Sequence, residues 1–269
     1  MSRPDWLIGF IKKTFIRDEK KMAAAKLPVF GRIVEHFLFE GDHLVCLPRD
    51  QVVTVNQNVE DPGQTVLPSA LADHLIDKAE HLFLMDFCIC RTSMECRDYP
   101  VKYGCLFMGE ATRDINPGWG RFVTKDEARE HLARCREAGL IHFVGRSKLD
   151  TVWLGIGPGE KLLTVCNCCP CCCITRGLPY VGERFAGKIH KAPGVSVSVG
   201  EDCIGCGSCV DACFAHAITL SDGRAEIGDE CRGCGRCVET CPQTAISLTV
   251  DPALFPGRPE EHILNLVDI

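Results

Sequence analysis

The chain has 269 residues, with 36 acidic against 30 basic side chains, a formal net charge of −6 and 20 cysteines. A hydrophobic share of 46% and a mean hydropathy near zero describe a globular chain with apolar material for about two cores. No run reaches the roughly 18 apolar residues of a membrane span, and the acidic balance argues against nucleic acid as a partner.

The opening residues, Met1 to Trp6, lack the apolar stretch and small-residue cleavage site of a secretory leader. The cysteines are therefore expected as free thiols in a reducing cytoplasm, available to metals rather than paired in disulfides. Residues 4–26 read as a helix with Pro4 near its first turn. Leu7, Phe10, Ile11, Phe15 and Met22 would share one face, and Lys12, Lys13, Arg17, Lys20 and Lys21 a basic side. Such a helix packs on its own domain, or else lies on a membrane surface or a partner subunit. Residues 27–67 are rich in turn signals and hold short strand-like runs such as Val52–Val55, while Cys46 reads as a small buried hydrophobe. A helix is expected from Ser69 to Glu80, with Leu71, Leu75 and Ile76 inward.

His81–Phe87 reads as a buried strand that delivers Cys88, Cys90, Cys96 and Cys105 into irregular loops. Thr124 to Gly139 is the clearest helix, opened by a Thr124/Glu127 capping box and stopped by Gly139. Its inner face holds Ala128, Leu132, Cys135 and Ala138; His131 and Cys135 stand one turn apart, too few for a metal site and better read as packing. Leu140–Val144 and Thr151–Ile156 read as two strands joined by a basic turn, and His142 reads as a structural histidine before it reads as a ligand or proton donor. Helix and hairpin together resemble the recognition helix and wing of winged-helix domains, although Asp126, Glu127, Glu130 and Glu137 would repel phosphates. In Gly155-Ile156-Gly157-Pro158-Gly159 the proline and the missing helix spacing argue against a phosphate loop.

Lys161–Val165 reads as a strand running into Cys166, Cys168, Cys169, Cys171, Cys172 and Cys173. Neighbouring cysteines point apart, so this stretch is expected to divide its thiols between sites and to complement Cys88, Cys90, Cys96 and Cys105. Ten thiols suffice for two four-ligand sites with two left over. Residues 176–198 read as a connector.

From Val199 to Leu248 the sequence repeats itself at an offset of 28 residues. Cys203, Cys206, Cys209 and Cys213 have the spacing C-x2-C-x2-C-x3-C, and Cys231, Cys234, Cys237 and Cys241 copy it, with glycines at 205, 207, 233 and 235 to permit the tight wrap. Zinc sites and disulfide frameworks fit two unbroken four-cysteine runs poorly. The segment resembles a bacterial-type ferredoxin module with two 4Fe–4S clusters. That resemblance implies that the fourth cysteine of each run serves the other cluster: Cys203, Cys206, Cys209 and Cys241 on one, and Cys231, Cys234, Cys237 and Cys213 on the second. Pro242 follows the family pattern; Phe214 stands where the first proline would be. The segment 199–250 carries eight acids and three arginines, which implies docking to a basic patch on a redox partner. The tail after Val250 is expected to fold Ile263–Val267 back onto the body or a partner.

Cys-Ile-Cys-Arg at 88–91, Gly-Cys-Leu-Phe-Met-Gly-Glu at 104–110 and the cysteine run at 166–173, ahead of such a module, resemble a group of little-characterised iron–sulfur proteins of anaerobic microbes. The expected class is α+β: a helical and loop region at 1–80, a mixed α/β cysteine-rich domain at 81–175, a connector, a ferredoxin-like dicluster domain at 199–250 and a tail at 251–269. The leading function is electron transfer, as a polyferredoxin-like carrier or the iron–sulfur subunit of an anaerobic oxidoreductase, with one or two further clusters upstream. The second is a reductase whose upstream cluster is catalytic, with Arg91, Glu110, His131 or His142 supplying charge or protons. The third is a redox sensor built on the winged-helix element.

Overall fold

The computed structural model describes residues 3–55, 68–251 and 263–269. The helices, in chain order, are α1 (Trp6–Thr14), α2 (Pro28–Leu38), α3 (Pro68–Lys78), α4 (Ile89–Met94), α5 (Lys125–Glu137), α6 (Lys148–Leu154), α7 (Leu178–Val181), α8 (Glu183–Ala186), α9 (Ser208–Ala212) and α10 (Arg236–Thr240). The strands are β1 (His43–Leu47), β2 (Val53–Val55), β3 (Leu82–Met85), β4 (Leu106–Met108), β5 (Gly120–Phe122), β6 (Ile141–Arg146), β7 (Leu163–Cys168), β8 (Ile189–Lys191), β9 (Val195–Val199), β10 (Ile218–Ser221), β11 (Arg224–Ile227) and β12 (Ile246–Val250). Among the described residues no helix is long and apolar enough to cross a membrane.

One seven-stranded sheet, in the order β5-β3-β4-β7-β6-β1-β8, forms the body. Its neighbours are antiparallel except β1 and β8. The central strands β3, β4 and β7 are buried on both faces; β3 and β4 are unbroken apolar runs, and β7 adds the buried polar Thr164 and Asn167. The sheet crosses the segment boundaries expected near residues 80 and 176, because β1 and β8 complete its edge. In the C-terminal repeat β9 pairs antiparallel with β12, and β10 with β11. From the N-terminal part, β2 adds parallel to β12 and seats the repeat on the body. Ile263 and Val267 are buried in the main core beside Leu163, Val165 and Leu248, so the tail's apolar segment packs back on the body.

Local chemistry explains most element ends. The capping box of α5 forms: Glu127 N–H donates to Thr124 Oγ1 at 3.2 Å and Thr124 N–H to Glu127 Oε2 at 2.8 Å. Gly139 follows in the left-handed region with φ 82°.

Three expectations are corrected. The first helix ends at Thr14, the chain is extended at Phe15, and a separate 3-10 segment, Glu19–Lys26, restarts at Asp18, whose carboxylate accepts from Lys20 N–H. The apolar face expected across residues 4–26 is thus split; Leu7 and Ile8 pack on the body while Trp6 and Phe10 stay exposed. In the turn-rich stretch the chain forms α2, because Pro28 occupies the first helical turn, where a missing N–H costs nothing. The second strand of the expected hairpin is helix α6, opened by Ser147, whose hydroxyl accepts from Asp150 N–H, and closed by Gly155 at φ 71°. Without that strand there is no wing, and the winged-helix resemblance fails.

Candidate metal centres

All four upstream cysteine-bearing loops meet at one end of the body sheet. Cys88 precedes α4 and donates its N–H to Val101 O at 2.8 Å; α4 closes at Glu95 in the left-handed region, and Cys96 N–H returns to Arg91 O at 2.9 Å. The loop regains the sheet through Gly104, where a Cβ would collide with the Met85 and Phe87 carbonyls, and so delivers Cys105 to β4. Strand β7 brings Cys166 and Cys168 to the same end, and the turn at Pro170–Cys172 carries the remaining thiols.

The ten upstream thiols divide into six and four. Cys90 lies in hydrogen-bonding reach of both Cys88 and Cys173. Cys173 Sγ stands 3.1 Å from Cys168 Sγ, Cys168 is beside Cys166, and Cys166 Sγ is 3.6 Å from Cys105 Sγ. These six form a string. Cys96, Cys169, Cys171 and Cys172 form a closed group whose sulfurs all lie within 4.8 Å of one another.

Arg91 is fully buried and lies beside both groups. Its Nε donates to Pro100 O at 3.0 Å and Nη1 to Asn167 O at 2.7 Å, while Nη2 donates to Tyr103 O. Among the described residues no carboxylate pairs with it. Burial opposes its charge, and the sulfurs of Cys88, Cys169 and Cys168 more than offset that cost, so the guanidinium is held above its ordinary value. A buried cation held by carbonyls is stabilised further by anionic sulfur around it. The Cys90 hydrogen bond first, and the Arg91 charge after burial, bring the Cys88 thiol down to about 7.

Two histidines, His131 and His142, are buried near the cysteines. His131 Nε2 lies 3.0 Å from Gly104 O and 3.2 Å from Asn167 Nδ2, and burial lowers its pKa. His142 is pushed down to about 3 by burial and then by the Arg136 charge, and its Nε2 lies 3.4 Å from Arg136 Nη1. Glu110 sits on the surface, paired with Arg113 and His81. Cys135 is pushed up to about 12 by burial and Cys46 is pushed up for the same reason, so both stay thiols that fill space.

In the C-terminal repeat, Cys203, Cys206, Cys209 and Cys241 line one cavity together with Ile204, Leu220, Ala225 and Ile246. The fourth cysteine of the second run thus joins the first three of the first run. Cys213, Cys231 and Cys234 in turn surround Cys237, whose thiol is pushed up to about 12 by burial and then by those sulfurs. Backbone N–H groups already aim at sulfur: Ala217 at Cys213 and Ala245 at Cys241, each 3.3 Å, Gly233 at Cys231 at 3.4 Å and Ala225 at Cys203 at 3.5 Å. Two four-thiol cradles with amide donors suit two anionic 4Fe–4S clusters.

The first cradle opens to the surface at Cys206, whereas the second faces the body. There Cys234 and Phe214 pack on the cluster of side chains that holds Cys46, Cys168 and Cys173, and Arg236, nearly buried, donates to Cys168 O at 2.7 Å. Phe214, at the position of the absent proline, stacks edge-on against Phe143 of β6. Arg49 pairs with Glu239 of α10 and donates to Arg136 O at the end of α5 at 2.9 Å. The repeat is therefore joined to the body where its second cradle meets the upstream string.

The family described as 4Fe-4S dicluster domain matches residues 202–246, a span that contains all eight cysteines of the repeat. Neither a curated protein nor a solved structure matches the chain. The C-terminal segment is a ferredoxin-like module and the chain binds 4Fe–4S clusters, which supports an iron–sulfur electron-transfer role.

Proposed function

We propose that this protein carries electrons between a partner docked at the exposed edge of the ferredoxin-like module and a further iron–sulfur centre held in the body by Cys88, Cys90, Cys105, Cys166, Cys168 and Cys173. The observation that carries this reading is the contact of Cys234, Phe214 and Arg236 with the Cys168 and Cys173 loop. Contact of that kind shortens the path between redox centres and excludes water from it.

When bound, each cluster takes up and releases single electrons. The chain supplies the rest. Cys203, Cys206, Cys209 and Cys241 hold one cluster and Cys231, Cys234, Cys237 and Cys213 the second. Amide donors to sulfur raise the potential by stabilising negative charge, and the buried Arg91 does the same for the body centre. Glu201, Asp202, Asp211, Asp222 and Glu226 are exposed on the module, which suits a basic partner surface next to Cys206. The carrier or subunit role rests on the same arrangement, as does the anaerobic, cytoplasmic setting that such clusters imply.

Protein purified without oxygen is expected to hold clearly more than the roughly eight irons of two cubanes, with matching acid-labile sulfide. Its reduced electron paramagnetic resonance spectrum is expected to show ferredoxin signals broadened by coupling to a further centre. Eight irons with an uncoupled two-cluster spectrum would overturn the reading.

A further inference from the structure

We infer that Cys96, Cys169, Cys171 and Cys172 hold a single thiophilic divalent ion, zinc or ferrous iron, in a closed tetrahedral tetrathiolate site. It rests on the upstream-centre reading only in leaving the other six thiols to that centre.

Size separates a single ion from a cubane. A metal–thiolate bond of about 2.3 Å places tetrahedral sulfur ligands about 3.8 Å apart. Here Cys96 Sγ is 3.7 Å from Cys171 Sγ, Cys171 Sγ is 3.4 Å from Cys172 Sγ, and all four sulfurs close within 4.8 Å of one another. A cubane binds its four thiolates on four different irons and holds them farther apart. The same chain shows the difference: among the described residues, the eight sulfurs of the module form no such closed group, and no three of the six in the string do either. Short sulfur pairs occur in the string, but only this quartet closes on every edge.

The surroundings fit a structural ion. Met94, Tyr99, Tyr103, Cys135 and Leu140 pack against the quartet, and Tyr99 and Asp98 aim backbone N–H groups at Cys96. Four protein ligands leave no open position, as in structural rather than catalytic sites. As the ion binds, four thiol protons leave; the resulting site carries two negative charges beside Arg91, which lies in hydrogen-bonding reach of Cys169. The ion would clamp the loop after α4 to the loop after β7.

The test is metal and acid-labile sulfide analysis of the anaerobically purified full chain and of Cys171→Ser and Cys90→Ser. Cys171→Ser is expected to lose about one equivalent of zinc, or of iron, with sulfide unchanged; the metal lost tells the two ions apart. Iron and sulfide falling together by about four each in Cys171→Ser, or no change in any metal, would overturn the inference. Cys90→Ser is expected to lose iron and sulfide together while keeping the single ion; if it loses neither, the upstream-centre reading fails and the single-ion site stands. Should Cys171→Ser not fold, the wild-type chain decides. The inference requires either a zinc absorption-edge spectrum with four sulfurs near about 2.3 Å and no metal neighbour, or a Mössbauer doublet of a high-spin ferrous tetrathiolate. Absence of both overturns it.

Discussion

At the scale of single residues, Arg91 links the upstream chemistry to the fold. Its three donors pin Pro100, Tyr103 and Asn167, which belong to the loop and strand that carry Cys96, Cys105, Cys166 and Cys168. Lysine keeps the charge but cannot reach three carbonyls from one nitrogen. Arg91→Lys is expected to destabilise the loaded protein by about 2–4 kcal/mol in anaerobic thermal unfolding and to lower upstream iron while the module's two clusters remain. Unchanged iron content and stability would show that the carbonyls find other partners.

Asp42 is a half-buried carboxyl. Its Oδ1 accepts the N–H of Lys148 at 2.5 Å, yet burial raises the carboxyl to about 7. The folded state then holds a proton that the unfolded chain, near 3.8, has released. Stability attributable to this proton is full below the unfolded value and is lost as pH rises through about 7. Asp42→Asn keeps the acceptor and removes the titration. It is expected to exceed wild-type stability by about 1–2 kcal/mol at pH 8, with the difference shrinking toward pH 5, in denaturant unfolding at both values. A difference independent of pH would assign the effect elsewhere.

At the scale of elements, stop and start signals worked where a side chain answers its own backbone. The Thr124/Glu127 box and Gly139 placed α5 to within one residue at its start and two at its end. Thr124→Ala is expected to cost about 1 kcal/mol in thermal unfolding, and Thr124→Ser to restore most of it. The same reasoning failed at Pro28 and Ser147. Pro28 carries a turn signal and a first-turn helix signal alike, and the helix won because Phe30, Ile33, Val34, Phe37 and Leu38 recur at helical spacing. Thr151–Ile156 is rich in β-branched and aromatic residues like a strand, but the hydroxyl of Ser147 caps a helix that starts three residues before Thr151, and Trp153 then donates to Asp150 Oδ1 at 2.9 Å. Helix α2 keeps an apolar face in solvent, with Val29, Phe30, Ile33 and Phe37 exposed.

At the scale of the whole molecule, the module is not an appended bead. Strand β2 covers the edge of β12, and Arg49 and Arg236 fasten the second cradle to the body. A fragment of residues 195–250 lacks β2 and leaves that edge open, so it is expected to self-associate with rising concentration under conditions where the full chain does not, as read by light scattering. A monodisperse fragment would show that the edge needs no cover.

The sequence by itself determined the module: three cysteines of each run are local to one cradle, so the fixed short spacings, their glycines and the 28-residue copy spell the chemistry directly. It also pointed to metal as the use of the upstream cysteines, because six thiols in eight residues fit no packing role. Only the tertiary structure divided them into six and four. Cys168 and Cys169 are neighbours in sequence, yet an extended backbone turns their side chains to opposite sides. The partners they meet, Cys173 for one and Cys96 for the other, arrive from loops whose positions depend on sheet order and on a buried arginine.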